Sequence, residues 1–230
     1  MKPFSVAYTS ACHFGVIAAV HLPDDPAPVP DGVLGQLPEV ERDHARTLGG
    51  YRQVSFVGGR LALHRAIRGL GRRAGPVLPG EGGQPQLPEG VAASISHKRT
   101  LAVALAARDT HGSVGVDLED LGPARMGIAD RVLVASERAL VDQLPAQRQW
   151  TAVLLRFSLK EAIYKALYPY VNRYVGFEEA EVTPLRDCQA DVALHLKEGE
   201  GPFLVEARYQ WMDGHVMSTV RIRSGTPAPE

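Results

Sequence analysis

Ser113-Val114-Gly115-Val116-Asp117-Leu118-Glu119-Asp120 (SVGVDLED) is the stretch from which the fold is read. Val114, Val116 and Leu118 alternate with Gly115, Asp117 and Glu119, the two-residue period of a half-buried strand, so one face is apolar and the other presents two carboxylates. Residues two apart on a strand lie roughly 6.5–7 Å apart, and two ionised acids on one face repel unless a cation or a cluster of donors sits between them. Oxygen donors of this kind suit a hard ion such as Mg2+, with a third carboxylate to come from elsewhere in the chain. The alternative is a strand end at which both acids face water.

Around this strand lies a chain of 230 residues, 45% hydrophobic and 22% charged, long enough to bury a core as one large domain or two small ones. A formal net charge of −1 gives no global argument for nucleic acid or membrane as a partner. The charge is unevenly spread: Arg42 to Arg73 holds eight arginines against one acid, Asp43, a surplus that suits an anionic ligand or a solvated helix face. The opening MKPFSVAYTSACHFGVIAAVHLP has one lysine, and His13 and His21 interrupt its apolar run, so it reads as a β-hairpin rather than a signal peptide or span. Cys12 and Cys188 stand far apart with no metal-ligand spacing; two isolated, buried thiols in a cytoplasmic protein are expected.

Working along the chain, a loop rich in Pro and Asp (Pro23–Pro38) precedes helical patterns at Pro38–Leu48 and Val54–Leu70, the second halted by Gly69 and Gly71. A Gly/Pro loop, Pro76–Gly90, leads to a hairpin of Ala92–Ser96 and Leu101–Ala107. Beyond the central strand come a helix at Ser136–Gln143 and a longer one at Gln149–Tyr168, stopped by Pro169. Alternation at Val192/Leu194/Leu196, Phe203/Val205/Ala207 and Val216/Ser218/Val220/Ile222 predicts three closing antiparallel strands, with a disordered tail from Ser224. Strands and helices are grouped, which favours α+β.

A faint repeat at an offset of 100 aligns Arg60, Ala62, Arg65 and Ala66 with Lys160, Ala162, Lys165 and Ala166. It suggests two similar α+β halves about a pseudo-twofold, divided as 1–112 and 113–223, with a cleft between them. The third carboxylate is sought in RFSLKEAIYKALYP, where Leu155, Leu159, Ala162, Ile163 and Ala166 form a buried helical face and Glu161 and Lys165 share another side. On spacing alone that Glu–Lys pair is equally an ordinary surface pair.

Together these segments resemble the 4′-phosphopantetheinyl transferases of the large monomeric type, the class associated with surfactin and enterobactin synthetases. Gly115-Val116-Asp117-Leu118-Glu119 is similar to that family's G-[IV]-D-[ILV]-E motif, and Phe157 to Leu167 to its [FW]-[SA]-x-K-E-[AS]-x-x-K-[AL] motif. Ser94-Ile95-Ser96-His97-Lys98 and Gly58-Gly59-Arg60, the latter like a helix start, support it, and the four elements stand in the family's order. Phe157 followed by Ser158 resembles the enterobactin-type branch; Gln84, where the family often has Lys or Arg, departs from the pattern.

The resemblance implies that Asp117, Glu119 and Glu161 hold Mg2+ against the pyrophosphate of coenzyme A. It implies coenzyme A contacts from Arg52, Arg60, Ser96, His97, Lys98, Lys160 and Lys165, with Arg60 and Lys98 near the 3′-phosphate and Lys165 on the pantetheine-side phosphate. Glu161 is the first choice for the base and His97 the second. The implied reaction moves phosphopantetheine from coenzyme A to a serine of an apo acyl, aryl or peptidyl carrier protein and releases adenosine 3′,5′-bisphosphate, in a cytoplasmic monomer. Tyr164, Tyr168, Tyr170, Arg173 and Tyr174 are a candidate carrier-docking surface, or else pack beneath the Pro169 turn. A magnesium-dependent pyrophosphohydrolase and a non-catalytic carrier-binding module are the alternatives.

Overall fold

The computed structural model describes residues 2–80 and 83–225, in two compact units, Met1–His111 and Gly112–Glu230. In the first, the two expected hairpins become β1 (Val6–Cys12) with β2 (Gly15–His21) and β3 (Val91–His97) with β4 (Leu101–Arg108). They form one antiparallel sheet in the order β1-β2-β4-β3. Between β2 and β3 run α1 (Asp31–Leu34), α2 (Glu39–Thr47) and α3 (Gly50–Gly69). Ala62, Leu63, Ala66 and Ile67 of α3 pack on Ala18, Val20, Ala104 and Ala106 of the sheet. Gly58 and Gly59, expected at a helix start, lie instead inside α3. A Cβ on Gly58 would meet Leu22 Cδ2 at 2.1 Å, so the missing side chain is what lets the helix lie close to the end of β2.

The second unit opens on β5 (Ser113–Asp120) and continues through α4 (Ala129–Val132), α5 (Ala135–Asp142) and α6 (Ala146–Val171). It closes with β6 (Ala180–Pro184), β7 (Gln189–Leu194), β8 (Phe203–Met212) and β9 (His215–Ser224), in the order β5-β9-β8-β7-β6. Leu155, Leu159, Ile163 and Leu167 of α6 pack with Val216, Val220 and Ile222 of β9 in the core. Three expectations are corrected. Pro169 does not stop α6, because so near the end its missing N–H forfeits one bond, and Asn172, in the left-handed region at φ 49°, caps the helix three residues later. Strand β6 was not anticipated. Ser224 belongs to β9, while 226–230 of the expected tail lies outside the described residues.

The two units share one plan, a strand, a helix pair and a hairpin, in the strand orders β2-β4-β3 and β5-β9-β8. Helices α2 and α5 begin 96 residues apart, as do α3 and α6. At that offset Glu41, Arg42, Arg52, Gln53, Arg60, Leu63, Ala66 and Ile67 face identical residues: Glu137, Arg138, Arg148, Gln149, Arg156, Leu159, Ala162 and Ile163. The repeat is therefore real, but its offset is 96 rather than 100. The difference of four is about one helical turn, which preserves the face pattern and explains why the slipped alignment also looked plausible.

A buried acid repeats with it. Glu41 accepts His64 Nε2 at 2.8 Å and the Val77 N–H; Glu137 accepts Lys160 Nζ at 2.7 Å and the Val182 N–H at 2.7 Å. In each unit one carboxylate thus ties the short helix to the long helix and to the backbone beyond it.

Gly115 sets the distance between β5 and α6, since a Cβ there would lie 1.9 Å from the Ala162 carbonyl oxygen. Gly115→Ala is expected to lower stability by about 3 kcal/mol, a fall in Tm of roughly 6–12 °C in a thermal melt. An unchanged Tm would contradict this packing.

Candidate active site

The face of β5 that meets α6 is Ser113, Gly115 and Asp117, the polar set, while Val114, Val116 and Leu118 are buried on the opposite face. The register is fixed at the strand's start. Ser113 Oγ donates to the Ala166 carbonyl, and the Tyr170 hydroxyl accepts the Ser113 N–H at 3.3 Å while donating to Ile222 O at 3.0 Å. Farther along, the helix meets Asp117 through Lys165, whose Nζ donates to Asp117 Oδ1 at 2.7 Å and to Val116 O at 3.1 Å. Asp117 is only 4% exposed, so the water-facing alternative fails for it. Glu119 and Glu161 are half-buried. Glu161 borders a shallow cavity with Tyr164, Tyr174 and Phe177.

The donor set fits a hard cation in kind. It offers carboxylate oxygens, and the inner one, Asp117, is already paired with a positive charge, the ammonium of Lys165. It is not gathered into a closed cage, because among the described residues no three His, Cys, Asp or Glu side chains stand close enough together to hold an ion. Mutual repulsion of carboxylates favours that spreading, and the lysine neutralises the buried one.

Lys160 is placed differently from its expected cofactor role. Its ammonium gives its three protons to Glu137 Oε2 (2.7 Å), Val132 O (2.8 Å) and Phe177 O (3.0 Å), with the side chain almost wholly buried. Burial pushes its pKa down, and Glu137 opposes the shift. With every donor engaged, it pins α5 and the Phe177 segment to α6 and has none left for a phosphate. Lys160→Met is expected to cost about 3–5 kcal/mol, because it leaves Glu137 buried without its cation; urea unfolding measures this.

In the first unit, Arg60 is also buried. Its Nε donates to Val77 O at 2.7 Å, its guanidinium lies 4.7 Å over the Phe56 ring, and burial lowers its pKa against the pull of Glu41. Arg52 and His97 are exposed, Lys98 is half-buried at the β3–β4 turn, and Ser96 is buried. The Gln84 side chain lies against Gly80, whose N–H donates to Gln84 O at 2.7 Å.

The expected docking cluster divides. Tyr170 is structural, bonded to Ile222 and packed on Phe203, whereas Tyr164, Tyr168 and the exposed Tyr174 form an aromatic group. Arg173 supplies no basic rim. Its guanidinium binds Glu179 at 2.8 and 2.5 Å and Glu200 at 2.8 and 2.6 Å. Neither cysteine is buried as expected, Cys12 being half-buried and Cys188 exposed. Arg173 holds the Glu179 and Glu200 carboxyls below their usual range. The stability they contribute is present above the ordinary carboxylate pKa, near 4.3, and is lost as pH falls through their lower folded values. Arg173→Ala should therefore lower Tm at neutral pH, and the gap to the parent should close on acidification below about pH 4 in melts across a pH series.

With this geometry established, the comparisons are specific. Residues 113–220 match the 4′-phosphopantetheinyl transferase superfamily, and residues 41–107 match the 4′-phosphopantetheinyl transferase N-terminal domain. The chain is 32% identical over 206 residues to 4′-phosphopantetheinyl transferase Svp of Streptomyces mobaraensis, covering 86% of this chain and 83% of that one. It is 31% identical to enterobactin synthase component D of Salmonella typhimurium, over 80% of this chain and 78% of that one. A solved holo-[acyl-carrier-protein] synthase of Thermotoga maritima aligns with 49% of this chain and 63% of its own, at 24% identity and a TM-score of 0.41. The protein is an α+β transferase. It belongs to the 4′-phosphopantetheinyl transferase superfamily.

Proposed function

We propose that this enzyme is a magnesium-dependent transferase that moves 4′-phosphopantetheine from coenzyme A to a serine of an apo acyl, aryl or peptidyl carrier protein, in the cytoplasm and as a monomer. The observation that carries the reading is the Lys165–Asp117 contact between β5 and α6, which brings the two sequence motifs together at one buried carboxylate. Asp117, Glu119 and Glu161 would supply oxygen ligands to Mg2+, which when bound neutralises the pyrophosphate and stabilises the departing phosphate. Lys165, with part of its side chain open to solvent, turns from Asp117 to the pantetheine-side phosphate, where a charge-assisted bond replaces the one it leaves. Glu161, half-exposed beside the cavity, takes the proton from the carrier serine as it attacks the β-phosphate, and His97 is the second candidate. Arg52, His97 and Lys98 are the partners for the remaining phosphates; Arg60 would act through the guanidinium N–H groups not committed to Val77. The Tyr164, Tyr168 and Tyr174 group is the apolar platform for the carrier.

The test is the mass of an apo-carrier incubated with coenzyme A and Mg2+. A gain of one phosphopantetheine is expected from the parent, and at least a hundredfold slower transfer from Asp117→Ala, whose fold is checked by circular dichroism because the substitution also takes the carboxylate away from Lys165. Cleavage of coenzyme A with no carrier present would instead indicate a pyrophosphohydrolase. Binding of the carrier without a mass change would indicate a non-catalytic module.

A further inference from the structure

Two buried hydroxyls of the second unit have no role in the chemistry described so far. Ser158 and Ser218 are both wholly buried, and neither Oγ has a hydrogen-bond partner among the described residues. A buried hydroxyl left unpaired is destabilising, so two such groups are not neutral filler. Their places are fixed by register. Ser218 on β9 is the direct antiparallel partner of Asp117 on β5, which puts the two Cβ atoms roughly 4.5–5.5 Å apart on the face that meets α6.

Ser158 reaches the same level from the helix. Ala166 lies over Ser113, and Ala162, one turn earlier, lies over Gly115. One further turn back along α6 is Ser158, and two residues further along β5 is Asp117. A turn of helix rises about 5.4 Å, and two strand residues about 6.7 Å, so the two series stay in step over this distance.

The first unit serves as an internal control. At the offset of 96, Ala62 stands where α6 has Ser158. The helix-facing sides of β2 and β4 carry Ala18 opposite Ala104 and Val20 opposite Ala102, with no acid and no hydroxyl. Buried hydroxyls occur at these positions only in the unit whose sheet holds the buried carboxylate.

We propose that Ser158 and Ser218 are positioning residues for Asp117, their hydroxyls rotating to donate to its carboxylate when Lys165 swings away. This rests on the reading of Lys165 as a phosphate ligand. A serine needs only a χ1 rotation, fast and without backbone movement, to change partner. The carboxylate would thereby keep its place and its charge while its cation is engaged elsewhere.

The test is a thermodynamic cycle in the free protein, which needs neither substrate nor metal. With Lys165 present, the double substitution Ser158→Ala/Ser218→Ala should leave Tm unchanged or raise it, because it removes two unpaired hydroxyls. In the Lys165→Met background the same pair of substitutions should lower Tm by roughly 4 °C or more, since the carboxylate then loses these two donors as well. Ser218→Thr, which keeps a hydroxyl, should restore most of that loss. Mn2+ binding followed by electron paramagnetic resonance provides the second readout, with affinity expected to fall about tenfold in the double variant. Equal Tm changes in the two backgrounds, with Mn2+ affinity at the parent value, would overturn the proposal. If the parent folds normally and shows the cycle but transfers nothing to a carrier, the functional reading fails while the serine assignment stands.

Discussion

The contact on which the second unit depends is the seating of Gly115 against the Ala162 carbonyl. Any side chain at 115 would force β5 away from α6 and strain the Lys165 contacts with Asp117 and the Val116 carbonyl. The small residues Ala162 and Ala166, the Ser113 bond and the Tyr170 hydroxyl all serve the same close fit. The polar face of the strand can then be turned inward because the helix brings a cation to meet it. Burying a lone carboxylate would be prohibitive; burying one with an ammonium 2.7 Å away is not.

The outline of the fold was legible because most elements obey one period. Ser113–Asp120 alternates, Leu101–Ala107 is a continuous apolar run, and both fold where the pattern places them. The failures have local causes. Ala180-Glu-Val-Thr-Pro carries a proline and an acid and reads as a loop, yet it forms an edge strand, where both are tolerated. Pro169 reads as a stop because its position relative to the end of the helix is set by the cap at Asn172, which composition does not reveal.

At the site, residue types were legible and partnerships were not. Asp117 and Lys165 were singled out, but not that they meet, since they lie 48 residues apart. Lys160, adjacent to Glu161, looked equally suited to a phosphate; its partner Glu137 is 23 residues away and on another helix. Arg173 looked like a free cation until Glu179 and Glu200 were found around it. The one signal that could have exposed the Glu137 pin was the repeat itself, because at the offset of 96 Glu137 faces Glu41 and Lys160 faces His64, and a nitrogen-bearing partner recurs with the acid. The slipped alignment concealed it.

That duplication divides the constraints on the chain unequally. On the helix-facing side of the first sheet, Val20, Ala102 and Ala62 are held only by volume, so exchange among small apolar side chains is limited by packing alone. At the matching depth of the second sheet, volume and charge act together, because whatever replaces a neighbour of Asp117 must both fit the space and tolerate an anion. Two copies of one architecture thus differ in mutational tolerance. At this depth the first is free to drift in sequence as long as it packs, while the second is restricted to substitutions that preserve an electrostatic balance.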